Sequence, residues 1–168
     1  MDEVILVNEK DEEIGTMEKL EAHRQGLLHR AFSVFIFNSK GEMLLQRRAV
    51  EKYHSGGLWT NACCSHPRPG ESIEGAAKRR LKEEMGMECE LRKEFYFIYQ
   101  IDFENGLQEH ELDYILIGFC DDFPKPDPGE VGEWKYLSSA LIEKDINLNP
   151  LSYTEWFKLV FKKVVELI

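Results

Sequence analysis

Apolar residues in the first third of the chain occur in short runs separated by polar turns. Residues 4–7 (VILV) form one such run, which is typical of a β-strand. Two further runs, 31–37 (AFSVFIF) and 43–48 (MLLQRR), are separated by residues 38–41, whose Asn-Ser-Lys-Gly sequence favours a tight turn. The pattern therefore predicts an early strand followed by a β-hairpin.

A second hairpin is predicted in the middle of the chain. Residues 94–103 (EFYFIYQIDF) are rich in aromatic side chains, which favour extended structure. The dipeptide Asn105-Gly106 follows and is a strong signal for a hairpin turn. A partner strand should therefore continue through about Cys120, and the proline-rich segment 124–130 should form a surface loop.

Two other segments show the helical period. Residues 71–86 carry their apolar residues on one face and end at Gly86, which favours a helix stop. Residues 152–167 show a similar stripe, and Ser152 and Glu155 have the spacing of a capping box. The apolar faces consist of Ile73, Ala76, Ala77, Leu81 and Met85 in the first segment, and of Trp156, Val160, Phe161 and Val164 in the second.

Hairpins interleaved with helices predict the mixed α/β (α+β) class, with a mixed β-sheet sandwiched between helices. A chain of 168 residues is long enough for one domain with a sizeable core. The sequence contains no internal repeat and no low-complexity segment. The fold class by itself does not identify a function.

Charge narrows the classes of partner. The formal net charge of −10 argues against binding to nucleic acids or to membrane surfaces, which are themselves negative. The basic residues are nevertheless clustered, and a cluster is either solvated surface or a patch that binds a small anion. The two clusters are Arg47, Arg48 and Lys52, and Lys78, Arg79 and Arg80.

The N-terminal sequence and the cysteines indicate a reducing compartment. No apolar run approaches the ~20 residues of a membrane helix, and the acidic start MDEVILVNEKDEE lacks the basic region of a signal peptide. We therefore expect a cytoplasmic protein whose cysteines are mostly thiols. They are Cys63, Cys64, Cys89 and Cys120, and they match no Cys-x-x-Cys zinc pattern.

The sequence NACCSHPRPGE, residues 61–71, contains two adjacent cysteines. They are poorly placed for a disulfide, because neighbouring Cα atoms are only ~3.8 Å apart. In an extended segment, Cys64 and His66 point to one face and Cys63 to the other. We therefore predict that Cys64 shares one face with His66 and that Cys63 packs behind the strand as a small apolar residue.

The helix predicted over 71–86 belongs to a segment that resembles the signature of the Nudix family, Gly-x5-Glu-x7-Arg-Glu-apolar-x-Glu-Glu-x-Gly-apolar. Two positions depart from it: Ser65 replaces the glycine, and Arg80 replaces a glutamate. The positions that match are Glu71, Arg79, Leu81, Glu83, Glu84, Gly86 and Met87.

Arg80 changes the chemistry expected of that helix. Positions 80 and 84 lie one turn apart on one face, where the Nudix hydrolases gather carboxylates around Mg²⁺. An arginine can bind phosphate oxygens, but it can neither coordinate Mg²⁺ nor take up a proton. We therefore expect diphosphate binding without efficient cleavage. The alternative is an ordinary amphipathic helix in which Arg80 and Glu84 form a salt bridge.

Histidines and glutamates form a second candidate constellation. Glu109 and Glu111 lie two residues apart in a predicted strand, so both carboxylates can face one point while His110 faces away. Three imidazoles and two carboxylates would suit a divalent ion such as Mn²⁺ or Zn²⁺. Taken singly, each of these residues is more often ordinary surface or core. The other candidates are His23, His29 and His66.

Five stretches together closely resemble the type I isopentenyl diphosphate isomerases, which are Nudix-fold enzymes. They are GGLWTNACCSHPRPGES, LLHRAFSVFIFN, RRAVEK, FIYQ and QEHELD, within a resemblance that spans roughly Val4 to Trp156. The resemblance implies a single Nudix-fold isomerase domain over 1–168, with residues 1–30 as an N-terminal extension that contributes metal ligands. It implies the interconversion of isopentenyl and dimethylallyl diphosphate through a tertiary carbocation, within isoprenoid biosynthesis.

The resemblance also assigns roles to individual residues. Cys64 and Glu111 would be the opposing acid/base residues, with Tyr99 hydrogen-bonded to Glu111. Glu84 and the backbone carbonyl of Cys64 would hold Mg²⁺ at the substrate diphosphate. Trp156 would face the cationic intermediate. The diphosphate would be bound by Lys19, Arg48, Lys52 and Arg80, and the transition metal by His23, His29, His66, Glu109 and Glu111.

The implied cofactors are Mg²⁺ with the diphosphate and Mn²⁺ or Zn²⁺ at the His/Glu site, with no flavin. The implied partner is a small allylic or homoallylic diphosphate, and we expect a monomer or weak dimer.

Two other hypotheses stay open from the sequence: a Nudix pyrophosphohydrolase acting on a nucleoside diphosphate derivative, and a non-catalytic protein with a structural zinc site. The state of Cys64, a thiol or a thiolate turned away from the carbocation, is also open.

Overall fold

A computed structural model describes residues 2–168, and its strands form one mixed sheet. The strands are β1 Glu3–Val7, β2 Glu13–Glu18, β3 His29–Phe37, β4 Met43–Arg48, β5 Trp59–Thr60, β6 Cys63–Ser65, β7 Arg92–Asp102, β8 Gln108–Phe119 and β9 Val131–Leu137. The helices are α1 Lys19–Gln25, α2 Ile73–Met85, α3 Ser139–Leu148 and α4 Glu155–Glu166, with a short 3-10 turn at Pro150–Ser152. Within residues 2–168, no helix is long and apolar enough to cross a bilayer.

Strand β3 lies at the centre of the sheet and sets the position of the site. It runs parallel to β8, with His29 opposite Glu111 at one end of the ladder and Phe37 opposite Phe119 at the other. Strand β6 pairs antiparallel with β3, which puts Cys64 opposite Ser33. Residues far apart in sequence are thereby brought to adjacent strands.

The period of two along β3 divides the core between the two faces of the sheet. Val34 and Ile36 pack on the face covered by α2, with Ala77 and Leu81 of that helix. Phe35 and Phe37 pack on the opposite face, which α3 and α4 cover. The residues packed there include Ile142, Trp156, Phe157, Val160 and Phe161. The predicted sheet between helices is therefore confirmed.

Helix α2 begins two residues later than the apolar pattern predicts. The hydroxyl of Ser72 accepts a hydrogen bond from the Gly75 amide at 3.0 Å, so Ser72 is the N-cap. Glu71 lies before the helix, where its carboxylate accepts two hydrogen bonds from Arg79 at 2.7 and 2.8 Å. The predicted stop at Gly86 is confirmed, with φ at +63°.

The capping box predicted from Ser152 and Glu155 is wrong. Helix α4 begins at Glu155 with Thr154 as its N-cap, and Ser152 lies in the 3-10 turn that Pro150 begins. The Thr154 amide instead donates to the carbonyl of Trp59 at 3.0 Å, and its hydroxyl donates to that of Thr60 at 2.9 Å. Contacts to β5 therefore fix the start of this helix.

The predicted hairpins and the strand at 4–7 are confirmed within one to two residues. The sequence pattern missed β2, α1, β5, β9 and α3. Strand β2 is exposed along most of its length, so it shows no alternation of apolar and polar residues. Helix α1 has only seven residues, which is too short for a clear helical period.

Candidate active site

The carboxylates of β8 and the histidine between them lie on opposite faces of the strand, as predicted. Glu109 and Glu111 are buried on one side. Nδ1 of His110 lies 3.1 Å from the carbonyl oxygen of Gly26 on the other side. Asp113 continues the same alternation and is also buried.

Backbone carbonyls set the tautomers of two histidines. Nδ1 of His23 lies 2.7 Å from the carbonyl oxygen of Lys19, and Nδ1 of His29 lies 2.8 Å from that of Leu27. A carbonyl can only accept, so each Nδ1 carries the proton and each neutral ring presents a lone pair on Nε2. This is the usual arrangement of a histidine that binds a metal.

The three predicted histidine ligands converge on Glu111. Oε2 of Glu111 lies 3.1 Å from Nε2 of His29 and 2.8 Å from Nε2 of His66. The His23 ring centroid is 4.9 Å from that of His29 and 5.6 Å from that of His66. One donor atom from each of the four side chains lies within 4.8 Å of the others.

This four-residue group suits a divalent transition ion. Nε2 of His23 is buried and has no hydrogen-bond partner within residues 2–168, so a cation would satisfy it. Imidazole nitrogens with a carboxylate oxygen are donors that such ions bind. The ion would supply a fixed positive charge that orients the Glu111 carboxylate.

Burial and charge set the protonation of the group. Burial lowers the pKa of both His23 and His66 from 6.5 to about 4, so both rings are neutral near pH 7. Burial is the largest effect on the pKa of His29 and acts to lower it, but the hydrogen bond and charge of Glu111, the Leu27 carbonyl and the charge of Glu109 together raise it. The neighbouring imidazoles overcome the effect of burial on Glu111 and hold its pKa well below the usual range.

Glu109, the fifth predicted ligand, lies beside this group rather than within it. Its Oε2 is 2.7 Å from Nε2 of His54, and it forms a separate potential donor group with His23 and His54. The Tyr99 hydroxyl lies 2.6 Å from Oε1 of Glu109 and 2.5 Å from Oε1 of Glu111. Since a phenol has one proton, it can donate to only one of the two carboxylates at a time.

The Tyr99 hydroxyl stays protonated. Burial, followed by the charges of Glu109 and Glu111, raises its pKa well above the usual value. The residue is therefore a hydrogen-bond donor to the carboxylate pair. This contact is the one expected of Tyr99 from the sequence.

Cys64 is held as a neutral thiol on the face that carries Trp156. Its Sγ accepts a hydrogen bond from Nε1 of Trp156 at 3.1 Å and lies 3.1 Å from Oδ1 of Asn61. Burial, followed by the charge of Asp113, raises the pKa of Cys64 to about 12. Of the two states left open by the sequence, the structure therefore favours the thiol.

Cys63 points to the opposite face, as the period of two predicts, and is fully buried against α2. The prediction that it is only an apolar filler is wrong. Its thiol donates a hydrogen bond of 2.7 Å to Oε2 of the buried Glu84, because this carboxylate faces β6 from α2.

Glu84, the predicted Mg²⁺ ligand, is buried between β6 and Arg80. Its Oε1 lies 3.4 Å from a guanidinium nitrogen of Arg80, so the salt bridge considered from the sequence is present. Burial raises the pKa of Glu84, although the charge of Arg80 opposes this. The same guanidinium nitrogen also lies 3.4 Å from Glu130, a carboxylate that the sequence did not single out.

Ser33 and Asp113 were also missed. The hydroxyl of Ser33 donates to Oδ2 of Asp113 at 2.8 Å and lies 3.5 Å from Sγ of Cys64. Burial, followed by the charge of Glu111, raises the pKa of Asp113 well above its usual value. Extending the period of two from Glu109 and Glu111 to residue 113 would have found this carboxyl group.

All four predicted diphosphate-binding residues line one cavity, which we call the basic cavity. It contains six cationic side chains, of which Arg68 and Arg79 were not among the predicted four. The six are Lys19, Arg48, Lys52, Arg68, Arg79 and Arg80. Glu130 lines the same cavity and lies 2.5 Å from Nζ of Lys52. Burial lowers the pKa of Lys19.

A second, smaller cavity, which we call the inner cavity, adjoins the basic cavity. The two share five lining residues: Arg48, Tyr53, Cys64, Ser65 and His66. The inner cavity is completed by His54, Tyr99, Glu109, Glu111 and Trp156. The thiol, the tyrosine and the carboxylates therefore surround one space that opens toward a basic one.

Comparisons with known proteins agree with this geometry. The NUDIX domain matches residues 27–157. An isopentenyl-diphosphate Delta-isomerase of Pectobacterium atrosepticum is 51% identical over 162 residues, which cover 96% of this chain and 90% of the relative. One from Aliivibrio fischeri strain MJ11 is 50% identical over 170 aligned residues, covering 96% of this chain and 94% of the relative.

Solved structures agree on the fold. The Deinococcus radiodurans protein DR0079 matches with a TM-score of 0.79 at 21% identity, covering 96% of this chain and 98% of the other. A MutT protein from Methanosarcina mazei matches with a TM-score of 0.64 at 22% identity, covering 81% and 91%. With relatives about half identical over nearly its whole length, this chain belongs to the isopentenyl-diphosphate Delta-isomerase family, whose fold is the NUDIX domain.

Proposed function

We propose that this protein isomerises isopentenyl diphosphate to dimethylallyl diphosphate, through a tertiary carbocation, as a step of isoprenoid biosynthesis. The observation that carries the proposal is the inner cavity, where a neutral thiol and a carboxylate–tyrosine pair surround one space. The names of the curated relatives support the same reaction. The hydrolase hypothesis has weaker support, because Arg80 occupies a carboxylate position of the Nudix signature.

The reaction needs an acid and a base on either side of the allylic unit. An unactivated alkene is a very weak base, so protonation requires a positioned acid, and the cation must then lose a different proton. Cys64 and Glu111 are the two groups we assign to these transfers. The thiol is suited to the task because its neutral form carries a proton to donate and is a weaker nucleophile toward a carbocation than a thiolate.

Trp156 is suited to stabilise the cation. Trp156 is only 3% exposed and its indole N–H contacts Cys64, so the ring belongs to a dry part of the site. A desolvated cation–π contact contributes about 2 kcal/mol. Arg48 stacks over the same indole at 5.3 Å, which connects the hydrocarbon end of the site to the basic cavity.

The basic cavity is suited to the diphosphate. Lys19, Arg48, Lys52 and Arg80 are the residues we assign to bind it. Mg²⁺ held by Glu84 and the carbonyl oxygen of Cys64 would neutralise part of the diphosphate charge. Binding the diphosphate orients the reactive C5 unit toward the inner cavity.

Further features of the proposal remain predictions. We assign Mn²⁺ or Zn²⁺ to the His/Glu site, which Glu109 would join, and no flavin. Residues 1–30 act as an extension that supplies His23 and His29 to a single domain. We also expect a cytoplasmic monomer or weak dimer that binds neither nucleic acid nor membranes.

Incubation with isopentenyl diphosphate and Mg²⁺ in D₂O tests the proposed reaction. Proton exchange at carbon should place deuterium in the C5 unit, detected by mass spectrometry, without release of phosphate. Release of phosphate or pyrophosphate without deuterium uptake would contradict the proposal and favour a hydrolase. A Glu111→Gln variant is the matched control, because it keeps the shape of the side chain but cannot transfer the proton.

A further inference from the structure

His54 is a buried histidine that none of the roles above explains. Its ring stacks on Phe103 with centroids 4.6 Å apart and planes 9° apart, and the ring of Trp156 lies nearly perpendicular to it with centroids 5.7 Å apart. Its backbone carbonyl oxygen accepts hydrogen bonds from Arg48 at 3.1 and 3.3 Å. Both the ring plane and the backbone are therefore held in place.

The ring nitrogen Nε2 of His54 points into the site without a hydrogen bond. It is buried and has no hydrogen-bond partner among the described residues, although Oε2 of Glu109 is only 2.7 Å away. The two atoms are therefore close but not aligned as donor and acceptor. Nδ1 lies 3.3 Å from the hydroxyl oxygen of Ser55, which can accept a hydrogen bond from Nδ1–H, and Nε2 then carries a lone pair.

A shared cation explains this arrangement. Two neighbouring ligands of one ion direct their lone pairs at the ion and not at each other. In an octahedral site, each lone pair therefore points about 45° away from the line that joins the two donor atoms. A nitrogen lone pair and a carboxylate oxygen at 2.7 Å would otherwise repel each other. A cation between the two atoms removes the repulsion and satisfies the buried nitrogen.

His23 connects this pair to the metal centre described above. One of its ring nitrogens lies within 4.8 Å of a donor atom of His54 and of one of Glu109, and its Nε2 is also buried and unpartnered within residues 2–168. The same His23 belongs to the group formed with His29, His66 and Glu111. The two groups therefore meet at one histidine.

We propose that His54 is a further ligand of the transition-metal centre and binds the ion through Nε2, beside His23 and Glu109. The centre then draws on six side chains, a larger set than the four donors of a closed structural zinc site. The inference rests on the proposed function. Its test measures metal binding without substrate, so that either proposal can fail while the other holds.

Titration of the full chain with Co²⁺ alone, after chelator treatment, tests the proposal. In His54→Phe the aromatic ring can still stack on Phe103, but the nitrogen donor is lost. We expect Co²⁺ affinity to fall by at least roughly 100-fold. Loss of a residue that only holds a ligand in place lowers metal affinity by about 10- to 100-fold, so the expected fall is at or above that range. We also expect the visible absorption of the bound ion to change, because the bands depend on the donor set.

Two further variants distinguish a His54 that binds the metal from a His54 that only holds Glu109 in place. His54→Gln can still donate an N–H to Glu109 but lacks an imidazole nitrogen, so the parent affinity and spectrum should not return. His110→Phe makes the same change as His54→Phe on the opposite face of β8 and should leave both unchanged. Circular dichroism checks that each variant is folded.

The proposal is overturned if His54→Phe, when folded, binds Co²⁺ with the parent affinity and spectrum. It is also overturned if His54→Gln restores both, because His54 would then only hold Glu109 by a hydrogen bond. If the Co²⁺ results are as expected but no deuterium enters the substrate in D₂O, only the proposed isomerase function fails.

Discussion

At the scale of single residues, burial decides the protonation of the groups that could bind a metal. Taken singly, His23 and His66 could be ordinary surface histidines, yet both have a pKa of about 4 because they are desolvated. The carbonyl oxygen of Lys19 then fixes which nitrogen of His23 carries the proton. The sequence supplies the two histidines, whereas packing makes them neutral rings that can bind a metal.

The lowered pKa of His23 predicts a pH dependence of stability. The folded state favours the neutral ring, so as the pH falls below 6.5 His23 is protonated in the unfolded chain before it is protonated in the folded one. The folded state therefore loses stability as the pH falls from 6.5 to about 4. Between pH 7 and 5 the loss from this residue should be about 2 kcal/mol. Urea unfolding of the metal-free protein at both pH values measures it.

His23→Gln is the control for this pH dependence, since other buried groups titrate as well. The variant should lose about 2 kcal/mol less than the parent over the same interval. Equal losses in the two proteins would show that His23 is not desolvated as described.

The two adjacent cysteines should respond differently to removal. Cys64→Ala should lower turnover by at least about 100-fold, because an acid/base group is lost. Cys63→Ala should keep substantial activity but lower the free energy of unfolding by about 1–3 kcal/mol, since the buried Glu84 loses a hydrogen bond. Deuterium uptake assays and urea unfolding measure the two effects. Equal loss of activity in both variants would make the assignment within the pair wrong.

At the scale of the element, the ends of α2 determine how the Nudix-like helix meets the rest of the site. Ser72 caps its start, and Gly86 adopts a left-handed conformation at its end. A Cβ atom at Gly86 would lie 2.4 Å from the carbonyl oxygen of Lys125, so only glycine fits. That contact fixes the helix against the loop that follows β8.

Substitution of Gly86 should destabilise the protein by more than its left-handed backbone conformation alone explains. Gly86→Ala should lower the free energy of unfolding by more than the ~1–2 kcal/mol of left-handed strain, because the methyl group also meets backbone. Gly41→Ala is the matched control, since φ is +76° there but nothing lies within 4 Å of the added atom. Thermal unfolding of both variants compares them, and similar losses would contradict a close contact at Gly86.

The start of α4 illustrates the limit of local patterns. Ser152 and Glu155 have the spacing of a capping box, but β5 holds Thr154 by two hydrogen bonds and the helix starts after it. A pattern four residues long cannot include a strand nearly one hundred residues earlier. Helix α2, whose cap is local, was predicted more accurately.

At the scale of the whole molecule, the parallel pairing of β3 with β8 assembles the site. It puts His29 opposite Glu111, and the pairing of β6 with β3 adds Cys64 opposite Ser33. The apolar core lies in two clusters, one on each face of the sheet. The fold should therefore not depend on the metal.

Removal of the metal tests this independence. A chelator should abolish deuterium uptake, while the far-ultraviolet circular dichroism spectrum and a cooperative thermal transition are retained. Added Mn²⁺ or Zn²⁺ with Mg²⁺ should restore activity. Unfolding of the protein on chelation would instead favour the structural zinc hypothesis, since closed zinc sites contribute folding free energy directly.

The sequence by itself determined the class of the fold, the two hairpins, the α2 segment and the family. These follow from short-range periodicity and from motifs with fixed spacing, which need no knowledge of the partner strands. It also predicted that Glu109 and Glu111 share a face, because a strand alternates with a period of two.

Only the tertiary structure decided which of these residues meet and in which state. Glu109 pairs with His54, Cys63 binds Glu84, and Cys64 is a protonated thiol, and each depends on contacts between distant segments. The pKa of a buried group depends on desolvation and neighbouring charges, which a linear pattern does not contain. Many residues of the site are therefore readable from the sequence, but its missed members and the chemistry of all of them are set by the packing of the sheet and its helices.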